Sequence, residues 1–265
     1  MKMLLNGEWV DRPQKIEVCN PQDGSLIDTV PLASVDDMEA AIVAAEAGYQ
    51  EARQMPAHRR MAILEQAAQT MEAEHEAFAR TIAQEGIKTI REARKEVTRC
   101  IQTMRISAEE ARRLNGETIS FDQMPGSENR RGFYRRDPIG IIGAITPFND
   151  PLNLVAHKVG PALAAGNAII VKPDSKTPLS ALKLARAVDE AGLPQGMLQV
   201  ITGHGSEVGN VLVTDDRVRM ISFTGGLSTG RAIMDQIGLK KVGMELGSNC
   251  PVIVMADADL EEAVA

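Results

Sequence analysis

Short apolar runs alternate with helix-like stretches through the second half of the sequence, and this alternation constrains the fold more than any other feature. The apolar runs predict buried parallel strands at Ile139–Ile145, Ala168–Val171, Met197–Ile201, Met220–Phe223 and Val252–Met255. Helical periodicity lies between them, at about 152–164, 179–191, 206–213 and 228–237. Strands that alternate with helices predict an α/β fold built on a doubly wound parallel sheet. Ligands of such sheets bind where the strands end.

The first half of the sequence predicts three helices that follow a short β-rich segment. Residues 4–32 have the turn signals of short paired strands. Ser34 begins a helix as part of a capping box, Pro56 begins a second helix, and a third spans roughly 88–114. Residues 115–138 then predict a second pair of strands.

Composition and charge exclude several classes of function. The net charge of −7 does not fit a nucleic-acid-binding protein, which needs a surface that neutralises phosphate. No apolar run has the length of about eighteen residues that crosses a membrane. The three cysteines are widely spaced and form no metal-binding pattern. These features predict a reduced, cytoplasmic protein that holds no metal ion.

Glycine-rich turns follow two of the predicted strands. One group consists of Gly203, Gly205 and Gly209, and the other is the pair Gly225–Gly226. Glycine lets backbone N–H groups approach a pyrophosphate, and the N-terminus of the following helix favours its negative charge. Either group taken alone is equally compatible with an ordinary tight turn.

Three polar motifs complete the pattern of candidate site residues. Asn149 follows Pro147–Phe148 at the end of the first strand, Lys172 ends the second strand, and Glu245 precedes Leu246–Gly247. Together with the loop Phe223–Gly226, these motifs resemble the aldehyde dehydrogenase superfamily. The resemblance runs from about Asn6 to the last residue. The sequences of Asn153–Gly160 and Glu245–Asn249 most resemble those of the lactaldehyde and phosphonoacetaldehyde dehydrogenase branch.

The resemblance implies NAD(P)-dependent oxidation of an aldehyde to its acid through a cysteine thiohemiacetal and thioester. Asn149 is expected to hold the oxyanion with its side-chain amide, and Glu245 to act as the general base that activates water. The nucleophilic cysteine is expected beyond the end of this sequence, so this chain alone is predicted to be inactive. Cys250 is interpreted as inert. The alternative is a dinucleotide-binding fragment without catalysis, whereas Glu245 disfavours a coenzyme-A-acylating enzyme.

The resemblance also implies the residues that bind NAD or NADP. They are Ile145, Thr146, Pro147, Phe148, Lys172, Ser175, Lys176, Gly205, Gly209, Phe223, Thr224, Gly225, Gly226, Leu246 and Gly247. Ser175 stands where the family has an acid that would repel a 2′-phosphate, and Lys176 would attract one. We therefore expect NADP to be at least tolerated. Gly226 replaces the family's serine, which removes one hydroxyl contact to phosphate.

The substrate expected from the resemblance is a small anionic or hydroxylated aldehyde. Arg105 and His157 lie on helices that hold the acid group in relatives of this kind, and arginine suits such recognition. The alternative is that His157 packs and Arg105 pairs with a neighbouring glutamate. Asp150 is unusual for the family and would place a carboxylate beside the substrate entrance.

The expected organisation follows the family as well. Residues 1–117 and 138–247 are expected to form the NAD(P)-binding domain, and residues 248–265 the start of a truncated catalytic domain. Residues 118–137 are interpreted either as an oligomerisation arm or as a surface hairpin. A full-length form is expected to be a homodimer or homotetramer. The isolated chain is predicted to self-associate, because the missing domain would leave apolar surface exposed.

Overall fold

The computed structural model describes residues 1–264, which begin with two β-hairpins. Strands β1 (Met3–Leu5) and β2 (Glu8–Val10) are joined by Asn6 and Gly7, whose φ angles of 52° and 74° form a tight turn. Strands β3 (Lys15–Cys19) and β4 (Leu26–Pro31) pair antiparallel in a separate sheet. The paired strands predicted for residues 4–32 are thus confirmed.

Four helices follow, and each predicted helix start is present. The helices are α1 (Val35–Ala52), α2 (Ala57–Ala73), α3 (His75–Glu85) and α4 (Ile90–Ala111). Ser34 and Asp37 form the predicted capping box of α1, and Pro56 directly precedes α2. The helical conformation is interrupted at Glu74, so α2 ends at Ala73 and α3 begins as a separate helix at His75.

A third hairpin projects its side chains into solvent. Strands β5 (Glu117–Ser120) and β6 (Arg131–Tyr134) pair antiparallel, as predicted for residues 115–138. Gly126 in the connecting loop has a φ of 85°, a conformation that glycine adopts without strain. Phe133 is 77% exposed on this hairpin.

The remaining elements form the predicted doubly wound sheet. In chain order they are β7 (Ile141–Ile145), α5 (Asn153–Ala164), β8 (Ala168–Lys172), α6 (Pro178–Glu190), β9 (Leu198–Val200), a π-helical turn (Gly205–Gly209), α7 (Asn210–Thr214), β10 (Val218–Thr224), α8 (Leu227–Met234) and β11 (Lys241–Glu245). The seven-stranded sheet has the order β11-β10-β7-β8-β9-β1-β2. Strands β7 to β11 are parallel, and β1 and β2 extend the edge beside β9 antiparallel.

The strand order reverses between β7 and β10, and this switch point positions the site. The chain runs outward from β7 to β9 and then returns to β10 on the other side of β7. Because such crossovers are right-handed, α5 and α6 lie on one face of the sheet and α7 on the other. Helices α2 and α4 pack over α5, and α1 packs on the sheet beside α7. A crevice therefore opens at the carboxyl ends of β7 and β10.

Two strand predictions need correction. The run Val252–Met255 forms no strand and is 51% to 86% exposed, because no described strand or helix covers it. Conversely, β11 was not predicted, since Lys241, Gly243 and Glu245 interrupt its apolar pattern. It is nevertheless a sheet strand, because it pairs in parallel register with β10 along its whole length.

The described chain finishes in the first turns of a helix, α9 (Leu260–Val264). The Asp259 carboxylate caps this helix, because it accepts hydrogen bonds from the backbone N–H groups of Glu261 and Glu262 at 3.0 and 3.2 Å. Across residues 1–264, every helix is too short or too polar to cross a membrane.

Candidate active site

The crevice at the switch point contains a polar cleft of about 790 Å³. The cleft brings together Asn149 after β7, His157 on α5 and Glu245 at the end of β11. Its other lining residues are Pro147, Phe148, Leu154, Lys158, Ser222, Thr224, Gly225, Gly226, Gly243, Met244, Leu246 and Gly247. The two residues that sequence reasoning assigned to catalysis therefore share one cavity.

The loop that carries Asn149 is held by a buried carboxylate from α4. Glu96 is completely buried and accepts hydrogen bonds from the N–H groups of Leu152 and Asn153 at 2.9 and 3.0 Å. Lys88 donates to the same carboxylate at 2.7 Å. A carboxylate at this position satisfies the free N–H groups at the start of α5 and favours the helix dipole. The turn that begins α5 is thereby fixed directly after Asn149.

Asp150 does not present a free carboxylate to the cleft. Arg99 pairs with it at 2.9 Å, and Lys88 forms a second ion pair with it. The carboxylate expected beside a substrate entrance is therefore paired with cations rather than free. Its charge is matched by two cations from α4 and the segment before it.

Glu245 reaches the cleft because β11 lies in register with β10. Thr224 is the partner of Glu245 in this register, and the Gly225 N–H donates to the Glu245 carbonyl oxygen at 3.0 Å. The glycine loop after β10 and the carboxylate after β11 are thus tied together. The Glu245 side chain itself is exposed to the cleft.

Lys158 is a site residue that sequence reasoning did not identify. It is only 8% exposed, and its ammonium group donates to the Ser222 hydroxyl at 2.9 Å. Burial lowers the pKa of Lys158 to about 8, although the negative charge of Glu245 opposes this shift. The available signal was a lysine within the mostly apolar helix α5.

His157 faces the same cleft from the neighbouring position on α5. Burial lowers its pKa, and the positive charges of Arg99 and Lys158 lower it further. The ring is thus a polar group in a cationic environment, a setting that suits an anionic ligand.

Arg105 lies outside the cleft lining. Its guanidinium pairs with Glu72 at 2.6 Å and with Glu65 at 3.5 Å, both on α2. The structure thus shows the ion pair that was the alternative for this residue. A substrate role for Arg105 remains a prediction, and it requires the guanidinium to leave both carboxylates.

A second cleft, of about 440 Å³, lies beside the polar one and suits a dinucleotide. Lys172, Ile145, Gly205 and Gly209 line it, together with Ser206, Asn210, Val213, Ser228, Thr229, Ala232, Ile233 and Gln236. A Cβ atom added to Gly205, Gly209 or Gly226 would meet no protein atom within 4 Å. These backbones are therefore accessible to a ligand such as pyrophosphate.

Two buried polar groups add to this fit. The Thr146 hydroxyl, directly after the cleft residue Ile145, is buried and has no hydrogen-bond partner among the described residues. Lys172 is 7% exposed, and burial lowers its pKa. The residues present fit a bound dinucleotide.

Ser175 and Lys176 lie at a different hollow from Lys172. This hollow, of about 390 Å³, lies between their loop and the end of α3, and Phe148 also contributes to it. The Lys176 ammonium lies 5.9 Å from the centre of the Phe148 ring, a cation–π contact. Lys176 must therefore leave Phe148 to contact a phosphate in the cofactor cleft.

The described cysteines are separate from the cleft lining. Cys100 is buried, and desolvation raises the pKa of its thiol well above the ordinary value. Cys250 is exposed, with its sulfur 3.1 Å from the Ser248 hydroxyl. Cys19 is half-buried in β3.

The fold and the two clefts define a doubly wound α/β protein with its ligand site at the switch point of the sheet. The chain belongs to the aldehyde dehydrogenase family, whose model matches residues 9–265. This confirms the resemblance stated above and the α/β fold expected from it.

Similar proteins of known name support the assignment. An aspartate-semialdehyde dehydrogenase from Pseudomonas canavaninivorans is 51% identical over 94% of this chain and 53% of its own length. A 3-sulfolactaldehyde dehydrogenase from Priestia aryabhattai is 44% identical over 99% of this chain and 55% of its own length. The chain spans about half the length of the curated relatives it matches.

Solved structures agree with the model over nearly the whole chain. The NADP-dependent glyceraldehyde-3-phosphate dehydrogenase from Bacillus halodurans, complexed with NADP, is 38% identical and superposes with a TM-score of 0.94. The match covers 99% of this chain and 56% of that protein. A succinate-semialdehyde dehydrogenase from Burkholderia pseudomallei is 37% identical, with a TM-score of 0.93 over 99% of this chain and 55% of its own.

Proposed function

We propose that this chain supplies the NAD(P)-binding region and two catalytic groups of an aldehyde dehydrogenase. The observation that carries the proposal is that Asn149 and Glu245 line one polar cleft. The second cleft, which Gly205 and Gly209 line and which fits a dinucleotide, lies next to it. Lys172, Thr146, Gly205 and the loop Phe223–Gly226 would hold the cofactor. When bound, NAD or NADP supplies a hydride acceptor.

The chain's own groups have distinct tasks in this proposal. The Asn149 amide donates a hydrogen bond to the oxygen that becomes negatively charged when a thiolate attacks the aldehyde carbon. Glu245 takes a proton from the water that then attacks the thioester, which releases the acid and the thiol. The complete cycle is proposed for a protein that also supplies the nucleophilic cysteine, because none of the described cleft-lining residues is a cysteine.

The proposed substrate is a small aldehyde that carries an acid or hydroxyl group. Relatives named for aspartate semialdehyde and 3-sulfolactaldehyde both act on aldehydes of this kind. In this chain, His157 faces the cleft, and the cations Arg99 and Lys158 lie near enough to lower its pKa. This cationic surrounding favours an anionic aldehyde over a neutral one.

The alternative function is dinucleotide binding without catalysis. It is favoured by the cleft lining, which includes Glu245 and Asn149 but no described cysteine. Measuring cofactor binding by this chain, and aldehyde-dependent NAD(P)H formation by a protein that also supplies the nucleophilic cysteine, separates the two functions. Lactaldehyde, phosphonoacetaldehyde and a neutral aliphatic aldehyde would be the substrates.

The expected results are specific to each function. Turnover that falls by roughly 10²–10⁴-fold in Glu245→Gln supports the enzyme. Cofactor binding without turnover, in a protein that also supplies the nucleophilic cysteine, supports the binding function. Failure to bind either NAD or NADP would overturn both, because both rest on the same cleft.

Assembly through the β5–β6 hairpin is a further part of the proposal. Residues 118–137 would act as the arm of a homodimer or homotetramer, since apolar side chains such as Ile119 and Phe133 are exposed there. Sedimentation velocity of the chain and of Phe133→Ser provides the test. An unchanged sedimentation coefficient would leave the hairpin as a surface element.

A further inference from the structure

Glu85, the last residue of α3, reaches the start of α6 through three hydrogen bonds. It is 2% exposed, and its carboxylate accepts from the N–H groups of Leu179 and Ser180, both at 2.7 Å. The Ser180 hydroxyl donates a third bond to it. The partners lie 94 and 95 residues further along the chain.

Helix α6 has no cap of its own. Thr177 precedes the helix, but its hydroxyl is buried and forms no hydrogen bond with the described residues. Pro178 is the first helical residue and has no N–H group. Leu179 and Ser180 therefore carry the first free N–H groups of the helix, and Glu85 satisfies both. Its negative charge also suits the helix dipole.

The start of α6 is also the end of the loop that displays Ser175 and Lys176. This loop leaves β8 directly after Lys172, and Asp174 holds its turn by accepting from the Lys176 N–H at 2.9 Å. Glu85 lines the same hollow as Ser175 and Lys176. The loop is thus fixed at one end by the sheet and at the other end by Glu85.

We propose that Glu85 is a positioning residue for cofactor binding, which fixes the loop 173–177 so that Ser175 and Lys176 meet the adenosine ribose. This inference rests on the proposed function, because it assumes that NAD or NADP occupies the cleft beside Lys172. Glu85 does not contact the cofactor in this view. It acts only through the N–H groups of Leu179 and Ser180.

The substitution Glu85→Gln tests this contact directly, because it keeps the size of the side chain and changes one hydrogen-bond acceptor into a donor. A carboxylate offers two acceptor oxygens, one to each backbone N–H group. In Glu85→Gln one oxygen becomes an NH₂ group, which must face a backbone N–H donor in a buried site. The start of α6 then has to shift, although the shape of the side chain is unchanged.

The experiment measures dissociation constants of 2′,5′-ADP, NADP and NAD for the chain at pH 8 by calorimetry. Glu85→Gln is expected to weaken all three by about tenfold. Asn167→Asp is the matched control, since Asn167 is also buried and accepts from two backbone N–H groups, those of Ile139 and Gly140. Asn167 lies at the opposite end of β8 from Lys172. The dissociation constants of Asn167→Asp for the three probes should therefore stay within about twofold of the wild-type values.

Each outcome decides the inference. Unchanged affinities in Glu85→Gln, or equal losses in both variants, would overturn it. If Glu85→Gln does not fold by circular dichroism, Ser180→Ala takes its place, because it removes one hydroxyl donor and no backbone bond. A loss of about two- to threefold in that variant supports the inference, and no loss overturns it. A wild-type chain that binds none of the probes would overturn the proposed function itself.

Discussion

Lys158 donates a hydrogen bond of 2.9 Å to the Ser222 hydroxyl, inside the cleft that Glu245 enters from the next strand. The pair joins α5 to β10 across the switch point of the sheet. A mostly buried ammonium group with one hydroxyl partner is poorly solvated, which explains the direction of its pKa shift.

The stability of the protein should therefore depend on the charge of Lys158. Because burial lowers its pKa from 10.5 to about 8, the folded chain binds this proton more weakly than the unfolded chain. The resulting stabilisation is fully present above pH 10.5 and is lost as the pH falls through about 8. At pH 7 we expect the free energy of unfolding of Lys158→Met to exceed that of wild type by roughly 1–3 kcal/mol. This difference should shrink towards pH 9.5.

Urea unfolding of both proteins between pH 7 and 9.5 checks this expectation. The comparison isolates Lys158, because Lys172 and Lys183, whose pKa values burial also lowers, are present in both proteins. A constant difference across this pH range would show that Lys158 keeps its ordinary pKa.

Replacement of Glu96 should loosen the loop that carries Asn149. In Glu96→Gln the amide oxygen can keep both N–H groups of the α5 start, which bind the same carboxylate oxygen, but the NH₂ group then faces the Lys88 ammonium group and the ion pair is lost. We expect the free energy of unfolding to fall by about 2–4 kcal/mol and the amides of Leu152 and Asn153 to exchange faster.

Glu92→Gln is the matched control for this change. Glu92 lies on the same helix, but it is exposed and completes the capping box with Thr89, a task that glutamine also performs. The melting temperature of Glu92→Gln should remain close to that of wild type. Equal losses in both variants would show that the burial of Glu96 has no special importance.

Lys176 should decide the preference for NADP over NAD. Lys176→Ala removes the cation expected to bind the 2′-phosphate. It should therefore weaken the binding of NADP by roughly tenfold and leave the affinity for NAD unchanged. Ser175→Glu should act in the same direction by repulsion. Fluorescence titration with both cofactors measures the ratio, and Lys95→Ala, an exposed lysine on α4, is the control. A parallel loss for both cofactors would remove Lys176 from phosphate recognition.

Arg105 and His157 should differ in their effect on substrate choice. Since the Arg105 guanidinium is held by Glu72 and Glu65, Arg105→Ala should change KM for anionic and neutral aldehydes by equal, small factors. His157→Asn should raise KM for an anionic aldehyde selectively, because the ring faces the cleft. Steady-state kinetics with phosphonoacetaldehyde and a neutral aldehyde make the comparison, in a protein that also supplies the nucleophilic cysteine. A selective effect of Arg105→Ala would restore its expected role in substrate binding.

Local patterns were sufficient for much of the fold. The capping box at Ser34 and the turn at Asn6–Gly7 depend on neighbours only a few residues apart, so the sequence specifies them directly. The apolar runs of β7 and β8 are buried on both faces and therefore read as strands. The exposed run Val252–Met255 shows the limit of this reasoning, because an apolar run becomes a buried strand only where a sheet and a covering layer are available.

By itself the sequence determined the strand–helix alternation, the glycine turns and the positions of Asn149 and Lys172 at strand ends, whereas the strand that carries Glu245 was not predicted. Each of these is a local signal, or a motif whose members lie close together in the chain. Only the tertiary structure decided that Lys158 enters the cleft, that Glu85 and Glu96 cap α6 and α5, and that Arg105 pairs with α2. These contacts join residues from 33 to 95 positions apart, and their partners are backbone N–H groups or side chains that only the packing of helices and strands brings together.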